Sequence, residues 1–220
     1  MSRKSNIFPF EGIPKDLLTE PKSLIAGVDE VGRGSLFGPV FSAVVMLPLE
    51  KIEDLQKIGV KDSKKLTPSS RKRIFQSIKS LGCIYRLGYA TAKEIDQHNI
   101  LQASLLSMFR AINKLPESPD HCLVDGKFAI PKLTLSQQTL IKGDAKSPLI
   151  GAASIIAKIA RDELINRLAS KYPQYALEEH KGYATSKHCE ALKKYGPSIQ
   201  HRFSFSPVRT ILSPDLIVLQ

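Results

Sequence analysis

Three cysteines, at positions 83, 122 and 189, are too few, too widely spaced and odd in number to build a disulfide framework or a zinc site. Such usage predicts reduced thiols in a cytoplasmic protein. Long apolar runs are missing too. The longest stretch without charge, Gly34 to Leu49, is 16 residues and contains Gly38, Pro39 and Pro48, whereas a membrane-spanning helix needs about 20 unbroken apolar residues. Arg3 and Lys4 are followed by Pro9 and Glu11, which interrupt any secretory apolar region. Neither an internal repeat nor a low-complexity segment occurs. Acid is the scarcer charge: 21 Asp+Glu against 32 Lys+Arg leave a net charge of +11. That balance favours polyanionic partners, nucleic acid or an acidic membrane surface. The remaining composition, 42% hydrophobic and 24% charged over 220 residues, is that of a globular chain with a buried core.

Residues 1–22 are polar, carry Pro9, Pro14 and Pro21, and read as an arm on or off the surface. The body, 23–220, begins with an apolar run, Leu24 to Val28, ending in Asp29-Glu30. A glycine-punctuated link leads to a second run, Val40 to Leu47, which predicts an antiparallel pair. Thr67-Pro68 predicts the start of a helix to Leu81, followed by a strand from Cys83 to Ala90. Thr91-Ala92-Lys93-Glu94 has the form of a capping box, and helical spacing then continues to Ile112. His121 to Val124 is a short strand ending at Asp125, and Leu140-Ile141 a further candidate ending near Asp144. The strongest helix spans Pro148 to Ser170, and a last one runs from about Ser186 to Tyr195. The order predicts an α/β domain: a mixed sheet flanked by helices, with a helical C-terminal extension.

Three of these strand candidates end in acid: Asp29-Glu30, Asp125 and Asp144. One acid at a strand end is usually only solvated. Four on the ends of one sheet would repel each other unless a divalent cation neutralised them. Carboxylate oxygens suit Mg²⁺, with substrate phosphate completing its shell. In a basic protein this pattern points to phosphodiester chemistry at a pair of metal ions. Adjacent strand residues face opposite ways, so Asp29 and Glu30 can share a site only where the strand ends or twists, which Gly32 and Gly34 make cheap.

The loop Gly32 to Gly38 does not fit a dinucleotide fingerprint, because Phe37 stands where glycine is needed and a strand follows instead of a helix. Nor is the Gly27–Gly32 spacing followed by Lys-Ser/Thr, and no nucleophile-elbow motif occurs. What remains is a backbone able to approach a ligand closely, with Arg33 beside the acidic pair.

The segment Gly27-Val28-Asp29-Glu30-Val31-Gly32-Arg33-Gly34, with Gly38-Pro39-Val40, resembles the signature of bacterial ribonuclease HII. So do Asp62 to Leu66, Ile95 to Leu101, Val124-Asp125-Gly126, Lys142-Gly143-Asp144, Ala152 to Lys158 with Arg161-Asp162, His180 to Tyr183, and His201 to Phe205, in the family's order over roughly residues 24–210. The resemblance implies an RNase H-like fold and hydrolysis of the RNA strand of RNA–DNA hybrids. It also implies cleavage 5′ of ribonucleotides embedded in duplex DNA, leaving 3′-hydroxyl and 5′-phosphate ends. By the same resemblance Asp29, Glu30, Asp125 and Asp144 are the catalytic carboxylates holding Mg²⁺ or Mn²⁺ in a two-metal site. Gly32, Arg33 and Gly34 match the loop that recognises the 2′-hydroxyl and the adjoining phosphate, and Tyr183 the tyrosine that packs at the RNA–DNA junction. Ser35 stands where the family often has proline, and residues 1–22 have no clear counterpart.

Lys57 to Arg73 holds seven cations against one anion, and Lys187 to Arg209 five against one. Such runs are candidate phosphate contacts, Lys64 and Lys65 first among them. The five histidines do not have ligand spacing, and Asp162, four residues after Lys158, reads as a structural ion-pair partner. The protein is expected to act as a monomer without membrane contact, and the apolar tail Ser213 to Gln220 is a candidate for contact with a replication clamp. Two other readings stay open: a nuclease of the same superfamily acting on DNA, and a non-enzymatic basic RNA-binding protein.

Overall fold

The computed structural model describes residues 10–60 and 66–212. Lys64, Lys65 and the tail 213–220 lie outside the described residues. Five strands form one sheet in the order β3-β2-β1-β4-β5: β1 (Leu24–Val31), β2 (Val40–Pro48), β3 (Ile84–Ala90), β4 (His121–Asp125) and β5 (Gln137–Leu140). β1 pairs antiparallel with β2, and β2 with β3; β4 runs parallel to both β1 and β5. The expected hairpin and mixed sheet are both present. β5 begins earlier than the apolar pair 140–141 suggested, and Ile141 is exposed.

The helices are α1 (Ile52–Lys57), α2 (Pro68–Ser80), α3 (Ala92–Ile112), α4 (Gly143–Lys146), α5 (Pro148–Ala169), α6 (Leu177–His180), α7 (Ser186–Tyr195) and α8 (Ser206–Leu212). Both faces of the central strands are covered, which is why β1 and β2 read as unbroken apolar runs. Ile25, Ala43, Val45 and Leu47 pack against α5 and α2 on one face. Ala26, Val28, Val44 and Met46 pack against Leu105, Met108, Ala111 and Ile112 of α3 on the other. The alternation puts Gly27 under α5, and a Cβ there would lie 2.5 Å from Leu149 Cβ and 2.7 Å from the Ile150 nitrogen. Only glycine lets the start of α5 lie this close to the strand that carries the acids.

The local signals place the helix ends correctly. Thr67 accepts from the Ser70 amide and Pro68 opens α2. Thr91 and Glu94 make both bonds of the capping box. α3 is not continuous, however. Asn99 has φ 65° and ψ 165°, and its side chain accepts from the amides of Leu101 and Gln102. It therefore caps a second helical segment in the middle of the predicted one. The expectation that the helix at 186–195 is the last also fails, because α8 follows; at seven residues it is too short to show periodicity. Residues of the polar N-terminal segment are packed from Phe10 on: Ile13 is buried, Phe10 and Leu17 touch the main core, and Glu11 pairs with Lys146 at 2.9 Å.

The C-terminal helices enclose a smaller core of Leu36, Phe37, Ile165, Tyr175, Leu177, Leu192 and Val208. His188 and His201 are buried in its wall, the His201 ring 4.9 Å from Phe37 and 4.7 Å from Tyr175. Burial is the main cause that lowers their pKa values, to about 4 for His188 and about 3 for His201.

Gly27→Ala is expected to cost about 3 kcal/mol of stability, read as a lower urea midpoint, because helix backbone would have to move. The two histidines give a second outcome. Both are neutral when folded but protonate near pH 6.5 when unfolded, so the stability they contribute above that pH is lost as pH falls towards 4 and then 3. Between pH 7 and 4.5, His201→Phe should lose roughly 2 kcal/mol less stability than the parent chain, by paired urea titrations.

Candidate active site

Asp29 and Glu30 occupy the end of β1 within the sheet, where Asp29 pairs with Ala43 and Glu30 with Ser42 of β2. They share one site because the Asp29 side chain folds along the strand, its Oδ1 accepting from the Glu30 amide at 2.7 Å. Ser154, on α5 over the same face, also donates to Asp29. The parallel register Val28↔Val124 brings Asp125 alongside Asp29 at the end of β4. The Gly143 amide donates to Asp125 Oδ1 at 2.7 Å, an approach with little room, since a Cβ on Gly143 would stand 2.6 Å from Ile150 Cδ1. One oxygen from each of Asp29, Glu30 and Asp125 lies within 4.8 Å of the others, and among the described residues this is the only such acidic or histidine group of metal-ligand type.

Asp144 is not one of the three. It stands one residue past the amide that holds Asp125, half-buried in the turn of α4. The four expected carboxylates thus resolve into a converged trio and a fourth acid next in the chain to the trio's support.

Burial holds the Asp29 carboxyl well above the usual carboxylate range, and the Glu30 and Asp125 charges raise it further. Glu30 is also raised, chiefly by burial, with the Arg33 guanidinium at 3.3 Å pulling the other way. Three converging carboxylate oxygen donors, from a buried and two half-buried side chains, fit a hard divalent cation.

The acids share a cleft of about 420 Å³ with Gly32, Arg33, Gly34 and Tyr183. Gly32 has φ +90°, and a Cβ there would fall 2.2 Å from Arg161 Nε. At Gly34 the nearest atom to such a Cβ is Tyr183 Cε1 at 4.0 Å, so the backbone there is open to a ligand. The loop rests on two fully buried guanidiniums. Arg161 Nη2 donates to Ser35 Oγ at 2.7 Å and to the carbonyls of Lys181 and Phe37. Arg202 donates to the carbonyls of Arg33 and Gly38 at 2.8 and 3.0 Å. Ser35, in place of the family's frequent proline, is thus a direct partner of Arg161. Burial, then the Arg161 charge, lowers the Arg202 pKa to about 9. Lys158 and Arg71 also line the cleft, and Asp162 pairs with both, at 2.8 and 3.8 Å, as its expected structural role requires.

Ser154, Lys158, Arg161 and Arg202 lie in segments that carry the family resemblance, but the sequence assigns them no role. The first three stand at i, i+4 and i+7 of one helix, a shared face that periodicity could have shown. For Arg202, far from the loop in sequence, no local pattern exists. Among the described residues no helix is long and apolar enough to cross a membrane.

A sequence model of the family Ribonuclease HII matches residues 26–208. The Ribonuclease HII of Microcystis aeruginosa is 53% identical over 192 residues, covering 87% of this chain and 92% of that protein. That of Caldicellulosiruptor bescii is 46% identical over 213 residues, 97% of this chain and 98% of that protein, so most of the N-terminal segment does have a counterpart. Among solved structures, ribonuclease H2 from Pyrococcus horikoshii superposes with a TM-score of 0.75 at 32% identity, covering 87% of this chain and 98% of that one. RNase HII in the PCNA complex from Archaeoglobus fulgidus gives 0.68 at 28% identity, covering 83% and 95%. Bst-RNase HIII in complex with Mn²⁺ shares the fold, with a TM-score of 0.70 at 19% identity, covering 90% and 72%.

Because the trio is mutually repulsive without a cation, Asp125→Asn is expected to melt above the parent chain in EDTA. Millimolar Mn²⁺ should raise the melting temperature of the parent by several degrees and that of the variant little, by calorimetry with and without metal.

Proposed function

The chain belongs to the ribonuclease HII family, and we propose that this metal-dependent endoribonuclease of the RNase H type cuts RNA–DNA hybrids and cleaves duplex DNA 5′ of a single embedded ribonucleotide, leaving 3′-hydroxyl and 5′-phosphate ends. The observation that carries this reading is the convergence of Asp29, Glu30 and Asp125 in a cleft that the glycine loop also lines, its backbone open at Gly34. Family membership favours it over a DNA-directed nuclease and over a non-enzymatic RNA binder.

In this reading Asp29, Glu30 and Asp125 hold the cations, and Asp144 supplies the fourth carboxylate. Mg²⁺ held there, with Mn²⁺ as substitute, would supply a water of lowered pKa and countercharge for the leaving oxygen. The chain's own groups do the rest. Ser154 and the Glu30 amide orient Asp29, and the Gly143 amide orients Asp125, so that the carboxylates keep their geometry as charge changes nearby. Gly32 and Gly34 let backbone amides reach a 2′-hydroxyl, the local group that separates RNA from DNA. Arg33, held by Glu30, faces the adjoining phosphate, and the Tyr183 ring offers a surface to the nucleotide at the junction. Lys158 and Arg71 add positive charge along the cleft, and Lys64 and Lys65, outside the described residues, are assigned to the flanking duplex. The buried thiols Cys83 and Cys122, their pKa values pushed up to about 12 by burial, suit a reducing cytoplasm. We assign the protein monomeric action, and to its apolar tail 213–220 a replication-clamp contact like that of the Archaeoglobus complex.

A labelled duplex with one ribonucleotide should be cut in Mg²⁺, left intact in EDTA, and left intact in Mg²⁺ when the ribonucleotide is replaced by deoxyribonucleotide. Asp29→Asn or Asp125→Asn is expected to lower the rate by about 10³ with substrate binding retained, as loss of several kcal/mol of charge stabilisation requires. Full activity in either variant refutes the assignment.

A further inference from the structure

Three of the five histidines, which lack ligand spacing in the sequence, come together behind the substrate-facing tyrosine. The His180 and His188 rings stack 4.5 Å apart, and His188 Nε2 lies 3.2 Å from His201 Nε2. The partners at the ends of this chain fix where its protons sit. The Ser198 amide can only donate, and it points at His201 Nδ1 from 2.9 Å, so that nitrogen is the acceptor and Nε2 carries the proton. The Tyr183 carbonyl can only accept, and it lies 3.0 Å from His188 Nδ1, so that nitrogen carries the proton and Nε2 holds the lone pair. His201 Nε2–H therefore donates to His188 Nε2, and His188 Nδ1–H to the Tyr183 carbonyl. Every link has one donor and one acceptor only when both rings are neutral.

This directed chain ties the backbone of Tyr183 to the 198–202 segment, which is itself stitched to the glycine loop. The Gly38 amide donates to the Gln200 carbonyl, the Arg202 amide to the Leu36 carbonyl and the Leu36 amide to the Gly182 carbonyl. From the other side His180 accepts from the Gly182 amide and donates to the Tyr175 carbonyl. Neither His188 nor His201 reaches the cleft, and both are buried.

We propose that His188 is a positioning residue that holds Tyr183 in place in the cleft through its Nδ1–H bond to the Tyr183 carbonyl, and that His201, oriented by Ser198, fixes the tautomer that makes Nδ1 the donor. The proposal rests on the reading of Tyr183 as a contact to the nucleotide at the junction. It makes a specific demand on the side chain at 188: a donor at the Nδ1 position, which asparagine keeps and glutamine, whose polar end lies at the Nε2 position, does not.

The test compares His188→Asn and His188→Gln, each alone and combined with Tyr183→Ala, on the single-ribonucleotide duplex in Mg²⁺. Circular dichroism and melting curves check that each variant is folded. His188→Gln should lower kcat/KM by about tenfold or more, the scale of a small misplacement. His188→Asn should restore most of that loss, and with Tyr183→Ala present His188→Gln should cost nothing further. Equal losses in the Asn and Gln variants, or a loss that adds to that of Tyr183→Ala, overturn the proposal while leaving the role of Tyr183 intact. A Tyr183→Ala chain that cuts like the parent overturns the reading of Tyr183 itself, and the proposal with it. Should the variants not fold, imidazole ¹⁵N spectra of the unaltered protein at pH 7 decide. Protonated Nδ1 at His188 with protonated Nε2 at His201 supports the chain, and the opposite tautomer at His188 overturns it.

Discussion

At Gly27 the first strand and the start of α5 approach so closely that no side chain can stand between them, and the site is built outward from that contact. Two residues on along β1, Asp29 faces the same helix, and Ser154 of α5 meets it there. Ile150, in the same first turn, crowds Gly143 and so presses the start of α4 onto Asp125. One helix docked on one strand thus sets the positions of two acids contributed by different strands. It also carries Lys158 and Arg161 forward along its face to the cleft and to the underside of the glycine loop. Precision comes from placing the polar groups on rigid elements, and the loop is then supported from below rather than left to its own conformation.

Charge is distributed in a way that a protein selected only for stability would avoid. Buried carboxylates crowd one part of the cleft, and buried guanidiniums lie beneath its glycine loop without forming ion pairs with them. Burying a charge costs heavily unless it is paired, and here the pairing within each group is incomplete: Arg161 and Arg202 give their hydrogen bonds to carbonyls and a hydroxyl. Cations held by the acids and a phosphate backbone laid against the glycine loop would supply the missing countercharges. The physical cost in the free protein is the counterpart of affinity for a polyanion with its metal ions.

The C-terminal helices bring no acid to the trio, yet they decide where Tyr183 and the glycine loop stand. Tyr183 is joined to the loop by the antiparallel bridge to Ser35, its ring lies 5.5 Å from the Arg161 guanidinium, and its backbone is bound by His180 and His188. The extension is therefore a brace. Its small aromatic core around Phe37 and Tyr175 converts a glycine-rich turn, flexible as an isolated segment, into a fixed part of the cleft.

What could be read from the letters was local. Apolar runs bounded by glycine gave the strands, Thr67-Pro68 and Thr91-Glu94 the starts of two helices, and the acids at strand ends the composition of the site, because each depends on neighbours within a few residues. The break at Asn99 was equally local but hidden in continuous helical spacing, and α8 was too short for periodicity to register. The convergence of Asp29, Glu30 and Asp125, with Asp144 standing just outside it, followed from the parallel register of β1 and β4 and from a side chain folding back on its own strand. Arg161 and Arg202 lie in segments that carry the family resemblance, yet nothing near them in sequence marks them as buried, and the histidines look unrelated. The amino-acid order thus determined the elements and the kinds of group available for chemistry. Which of them meet, and which are buried as charges or held neutral, was decided by packing between segments from 13 to more than 160 residues apart, where distance and solvent exclusion, invisible to any short window, set the energies.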